Sequence, residues 1–242
     1  MKSRYRFKES DFVVVLTGAG ISAESGIKTF RDNDGLWENH RVEDVATPEA
    51  FVKNPKLVWK FYKQRFEHLS EVEPNPGHYA LVELEKYLGD NFVLITQNVD
   101  GLHRRAGSKN VFEMHGKLDE CFCINCGNRY LMSEIDLSKD IPRCAACSSY
   151  LRPDIIWFGE MPYFLPEIDQ ALRRADYFIT IGTSGVVYPA AQFLMNAKMY
   201  GVQTIGINLA SPDNMAFIKE FHQGKSGEIL PGLVDFWING GE

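Results

Sequence analysis

Four of the five cysteines in this 242-residue chain fall in two pairs, Cys123-Ile-Asn-Cys126 and Cys144-Ala-Ala-Cys147, separated by 17 residues. No other feature limits the fold as tightly. Each pair chelates from one tight turn, and two pairs at this separation close a tetrahedral site of four thiolates, the structural zinc arrangement. Protein fills every position of such a site, so the metal, one zinc per chain, supports structure and does no chemistry. The competing reading is two unrelated pairs of small buried thiols. Cys121 is left over and reads as a small buried residue or a free thiol.

Around this module the chain has another rhythm. FVVVL at 12–16, FVLIT at 92–96, YFITI at 177–181 and QTIGIN at 203–208 are short apolar runs without clean alternation. They have the character of parallel strands covered on both faces. Between them lie helical patterns at 55–69, 76–88 and 166–175, the first opening on Pro55, with a further helix starting near Pro189. Strands alternating with helices predict an α/β fold, a Rossmann-like doubly wound parallel sheet. Two stretches break the rhythm, and both read as insertions building a smaller lobe. The division expected is a nucleotide-binding domain from 1–35, 76–116 and 156–242, a helical insertion at 36–75 and a zinc-binding insertion at 117–155.

Composition removes some function classes. The net charge is −6, with 45% hydrophobic and 24% charged residues, the balance of an ordinary globular domain. A nucleic-acid partner would call for a basic surplus or stripe to meet phosphates, and neither is present. The apolar run at 12–16 is too short for a signal segment or a membrane span. A cytoplasmic setting is expected, where thiols stay reduced and serve metals more than disulfides.

Three clusters carry chemistry. In VVVLTGAGISAESG, Gly18, Gly20 and Ala23 satisfy G-x-G-x-x-G/A directly after a strand, where a helix N-terminus can meet a pyrophosphate. The acidic residue that ordinarily holds the ribose about 20 positions further on is missing; the chain runs instead through TFRDNDGLWENHR. Gln97, Asn98, Asp100 and His103 follow the second strand, where such groups point into the ligand crevice. His115 stands just after the strand-like VFE, well placed for a base.

These motifs, with the paired cysteines, FGE at 158–160, GTSGVVYPAA at 182–191 and GKSGEILP near the end, resemble the sirtuins in order over residues 12–237. The resemblance implies NAD as co-substrate, acyl-lysine protein or peptide as partner, and substrate bound between the two lobes. It implies that the acyl oxygen attacks C1′ of the nicotinamide ribose and nicotinamide leaves. His115 then removes a ribose hydroxyl proton, and the acyl group migrates to the sugar. The products are free lysine, nicotinamide and O-acyl-ADP-ribose. Carried over by position, Gly18, Ala19, Gly20, Ser22, Phe30 and Arg31 contact NAD. Gln97, Asn98, Val99 and Asp100 line its nicotinamide and ribose end. Gly182, Thr183 and Ser184 hold the adenosine half, Asn208 its ribose and Ser226 the adenine. Phe158, Gly159 and Glu160 form the segment whose backbone pairs with the peptide.

Tyr62 and Arg65 are three apart and share a helix face. They match the Tyr-x-x-Arg pair of class III sirtuins, desuccinylases and demalonylases that also deacetylate. A guanidinium grips a carboxylate bidentately and a tyrosine hydroxyl adds a bond. The alternative is a solvated helix face with a packed aromatic. Two positions depart from the common pattern: Lys28, where many members have proline, and Asn208-Leu209-Ala210, where many have Asn-x-Glu, which puts one ribose contact in doubt. Rival readings are a plain deacetylase, a protein ADP-ribosyltransferase, an NAD-dependent oxidoreductase and a zinc-ribbon adaptor.

Overall fold

A computed structural model describes residues 3–28, 36–37 and 40–240. In chain order come β1 (Val13–Thr17), β2 (Leu36–Trp37), β3 (His40–Arg41), α1 (Val42–Val45), α2 (Pro48–Lys53), α3 (Pro55–His68) and α4 (Pro76–Leu88). Then follow β4 (Phe92–Thr96), α5 (Leu102–Ala106), β5 (Val111–Glu113), β6 (Gly116–Cys123), β7 (Arg129–Leu131) and β8 (Leu151–Ile155). The remainder comprises α6 (Leu165–Arg174), β9 (Tyr177–Ile181), α7 (Ala190–Met199), β10 (Gln203–Asn208), β11 (Glu220–Gln223) and α8 (Ser226–Asn239).

Six strands pair in parallel in the order β11-β10-β9-β1-β4-β5. Every residue of β1 and β4 is buried, and the pleat divides them between two cores. Val13, Val15, Phe92 and Leu94 pack with Leu81, Leu84 and Leu88 of α4 and with Leu230, Leu233 and Trp237 of α8. Val14, Leu16, Val93 and Ile95 pack on the other face with Ile168 and Leu172 of α6 and Phe193 and Leu194 of α7. Helices thus cover both faces, the doubly wound arrangement expected. From β1 the sheet grows through β4 and β5 on one side and β9 to β11 on the other, so the topological switch point lies between β1 and β9.

Two differences from expectation have local causes. The glycine loop enters two short 3₁₀ turns, Ala19–Ile21 and Ala23–Ser25, and no α-helix. The Asn75 side chain ties the two turns in place, donating to Ile21 O at 2.7 Å and to Ser25 Oγ at 2.9 Å. The crossover helix is α4, further along, with Pro76 at its first turn and Asn75 as its cap. The second difference is α8, a 14-residue helix not expected from a stretch holding Gly227, Pro231 and Gly232. Burial of Ile229, Leu230, Leu233, Val234 and Trp237 outweighs the interior proline.

The second lobe joins α1–α3 to the antiparallel sheet β7-β6-β8. One apolar cluster holds Val45, Phe51, Val58, Trp59 and Tyr62 from the helices beside Leu118, Cys121, Cys144, Leu151 and Trp157. Residues from both interrupting stretches therefore share one core. No helix among the described residues is long and apolar enough to cross a membrane.

Candidate functional site

Three strand ends are laced together at the switch point. Gly18 N–H donates to Ile181 O (3.0 Å), Gly20 N–H to Gly182 O (2.9 Å) and Gly182 N–H to Ile207 O (2.9 Å). A Cβ on Gly20 would lie 2.6 Å from Gly182 Cα, and one on Gly182, whose φ is +62°, would lie 2.4 Å from Ile21 N. Only glycine permits this approach. The result is a shelf of bare backbone at the carboxyl edge of the sheet, the surface a pyrophosphate needs. Ala19 lies in the 3₁₀ turn on that shelf. Asn208 borders it, donating from Nδ2 to Thr183 O at 2.8 Å, and Ser184 O accepts from Asp213 N–H at 3.1 Å. Buried Ser226 opens α8 beside it.

A polar cluster lies behind the shelf. Ser22 Oγ donates to Asp100 Oδ2 at 2.8 Å and accepts from Asn98 Nδ2 at 3.1 Å, which also donates to Gly18 O at 3.2 Å. Burial pushes the Asp100 carboxyl up, opposed by its bonds from Leu102 N–H and Ser22 and by the nearby charges of Arg65 and Arg105. Gln97 Nε2 donates to Thr183 Oγ1 at 3.1 Å, tying β4 to the β9 turn. Val99 O accepts from Leu118 N–H at 2.9 Å, and its side chain packs against the second lobe. His103 is sealed in the interior with Nε2 3.0 Å from Thr17 Oγ1, and burial holds it neutral.

His115 occupies the turn between β5 and β6, its Nδ1 3.0 Å from Gln97 O. A carbonyl can only accept, so Nδ1 carries the proton and the neutral ring keeps its lone pair on Nε2. Burial lowers the His115 pKa, and the carbonyl bond only partly opposes this. The imidazole is therefore a free base with a fixed tautomer at neutral pH.

On the second lobe, Tyr62 is fully closed from solvent and its hydroxyl accepts from Trp157 Nε1–H at 2.9 Å. Burial raises the phenol pKa, with the Arg65 charge opposing it. The same Arg65 charge opposes the rise at Asp100, and its guanidinium carbon lies 5.5 Å from the Phe61 ring centroid. Residues 158–160 form a turn and no strand: Gly159 has φ +92°, Phe158 N–H donates to Ala46 O and Glu160 N–H to Trp157 O. The Phe158 ring is exposed, whereas the Glu160 carboxylate is engaged by Arg152 at 2.7 Å on each oxygen. Phe30 and Arg31 lie outside the described residues.

The sulfurs of Cys123, Cys126, Cys144 and Cys147 all lie within 4.8 Å of one another. Three of the contacts are 3.4, 3.6 and 3.6 Å, too long for disulfides and close to the roughly 3.8 Å edge of a tetrahedron with Zn–S near 2.3 Å. The four thiols fit one structural zinc.

Sequence reasoning passed over several residues that hold the site. Asn75 and His78 form the α4 capping box, and His78, held near a pKa of about 4 by burial, places Nε2 3.5 Å from Ser22 Oγ. An Asn-Pro pair before a helical pattern is a cap signature and could have revealed the first. Glu24 Oε2 accepts from Gly227 N–H at 2.7 Å, a contact across 203 positions with no local signal.

Fold and site together define a class: a doubly wound sheet with a nucleotide-type glycine shelf, joined to a four-cysteine lobe through the turn that carries the histidine. The Sir2 family profile matches residues 18–189, and the chain belongs to that family. A Pasteurella multocida protein named NAD-dependent protein deacylase is 52% identical over 226 residues, covering 90% of this chain and 94% of that protein. A Pyrococcus furiosus protein of the same name is 49% identical, covering 94% and 93%. A solved Sir2 homologue–NAD complex matches with TM-score 0.86 at 42% identity, covering 95% of this chain and 90% of that one. Sir2Tm bound to a propionylated peptide matches with TM-score 0.82 at 33% identity, covering 93% and 92%.

Proposed function

We propose that this chain is an NAD-dependent protein-lysine deacylase that removes succinyl and malonyl groups as well as acetyl. The observation that carries the catalytic part is the Nδ1 bond of His115 to Gln97 O, which leaves the Nε2 lone pair to act as a base. NAD supplies an electrophilic ribose carbon as nicotinamide departs. In this reading Gly18, Ala19, Gly20 and Ser22 carry the pyrophosphate side, with Phe30 and Arg31 from the adjoining segment. Gln97, Asn98, Val99 and Asp100 orient the nicotinamide ribose, and His115 takes a ribose hydroxyl proton at Nε2. Gly182, Thr183, Ser184, Asn208 and Ser226 hold the adenosine half. Phe158 and Gly159 bound the acyl-lysine entry, and the Glu160 carboxylate holds that turn in shape. The three-part division of the chain given above is retained in this reading, and so is a cytoplasmic setting.

The acidic-acyl preference rests on Arg65, a cation whose charge reaches both Tyr62 and the Asp100 cluster. A charge-assisted hydrogen bond contributes about 1.5–3 kcal/mol. Changing Arg65→Met should therefore lower the ratio of succinyl to acetyl kcat/KM by roughly tenfold to a hundredfold, read by mass spectrometry on matched acyl peptides with NAD. The complete burial of Tyr62 favours the rival, a plain deacetylase in which that ring is packing. Equal losses on both peptides would decide for the rival.

A further inference from the structure

We propose that Trp157 is a positioning residue for the acyl end of the substrate, fixing the Tyr62 hydroxyl through its indole N–H and itself fixed by Arg152 and Glu160. The inference rests on reading Tyr62 and Arg65 as the acyl-end site.

The residues form a closed circuit. Trp157 is 2% exposed, and its Nε1–H donates to Tyr62 Oη at 2.9 Å. The Arg152 guanidinium carbon lies 3.6 Å from the Trp157 ring centroid. Arg152 grips both oxygens of Glu160, and Glu160 Oε2 turns back to accept from Trp157 N–H at 2.8 Å. Arg152 Nη2 also donates to Ile155 O at 2.9 Å, anchoring the circuit to β8. A planar guanidinium held bidentately and stacked on an indole has little freedom left. The indole therefore cannot swing, and neither can the oxygen it holds.

This arrangement does more than fill space. A packed ring could meet Tyr62 through carbon; here the single indole donor is aimed at the one hydroxyl on the proposed acyl face. Glu160 comes from the turn assigned to peptide entry and Tyr62 from α3, so the circuit joins both ends of the substrate site. Phe51 packs against the same indole at 5.4 Å between centroids.

Trp157→Phe removes the donor and keeps a ring. The succinyl-to-acetyl ratio of kcat/KM should fall about threefold to tenfold, the range of one neutral hydrogen bond. In a Tyr62→Phe background the same change should leave the ratio where Tyr62→Phe alone puts it, because the atom being positioned is gone. Melting temperatures of all variants accompany the kinetics; should Trp157→Phe fail to fold, Arg152→Lys, which keeps the indole N–H but loosens the hold on the ring, should lower the same ratio, and an unchanged ratio there overturns the inference. An unchanged ratio in Trp157→Phe, or a further fall in the Tyr62→Phe background, overturns the inference. Arg65→Met is run beside them. If it lowers the ratio while Trp157→Phe does not, the inference fails and the acyl reading stands. If Arg65→Met leaves the ratio unmoved, both fall.

Discussion

A histidine becomes a base by what its other nitrogen does. His115 was legible in the sequence as a candidate because it follows a strand-like triplet near other polar residues, but the tautomer depends on a main-chain oxygen 18 positions away and leaves no mark in residue types. The sign of the pH dependence follows. Burial depresses the folded pKa below the ordinary value of about 6.5, so the imidazole stays neutral and active through neutral pH. Deacylation should hold steady for this group near pH 7 and fall on the acid side, as pH drops through the lowered pKa. His115→Ala should cost about 10²–10⁴-fold in turnover and abolish that acid limb while NAD binding, followed by calorimetry, persists. A variant keeping more than a tenth of turnover, or the same acid limb, would assign the base elsewhere. Tyr62 shows the opposite case. Its spacing of three from Arg65 was legible, but spacing says nothing about how deeply a helix face is covered, and the ring is wholly enclosed.

At the scale of elements, the apolar runs read from sequence became β1, β4, β9 and β10 because their burial on both faces leaves a signature no other element shares. The edge strand β11, EFHQ, carried no such signature, since Glu220 and His222 are satisfied by each other at 2.6 Å and not by apolar contacts. Helix α8 was hidden by its glycines and proline, whose local preference yields to tertiary burial. The glycine shelf is the element with the sharpest requirement. Adding a methyl at Gly182 brings it 2.4 Å from Ile21 N and 2.6 Å from Gly20 C, all backbone atoms in two laced loops. Neither loop can yield without breaking the Gly20–Gly182 hydrogen bond. Gly182→Ala should lower stability by about 1–3 kcal/mol through overpacking, which is roughly 2–12 °C in melting temperature for a chain of this size. It should also raise the KM for NAD, measured by nicotinamide release. An unshifted melting temperature with unchanged KM would show that the shelf is not where the dinucleotide rests.

The whole molecule has its apolar interior divided in a way that makes the metal's reach predictable. The two cores flanking the parallel sheet draw no buried residue from 117–157, whereas the third core contains Cys121, Cys123 and Cys144 together with Tyr62 and Trp157. Loss of zinc should therefore dissolve one core and spare two. Binding energy in such a module is folding energy, and four thiols left without a metal give little in its place. Native mass spectrometry should find one zinc per chain. Cys144→Ser should remove it and split thermal unfolding into two transitions, the early one belonging to the second lobe and the late one to the sheet. Far-ultraviolet dichroism should retain the sheet and the helices that cover it. Deacylation should nevertheless be lost, because α3 with Tyr62 and Arg65 sits on the core that melts, although no cysteine touches the glycine shelf. NAD binding should weaken less than turnover for the same reason: the shelf is built from β1, β9 and β10, outside the lobe that is lost. A metal-free wild-type chain with full activity and a single unperturbed transition would remove zinc from the account. Loss of both transitions together would show that the two lobes fold as one unit despite their separate cores.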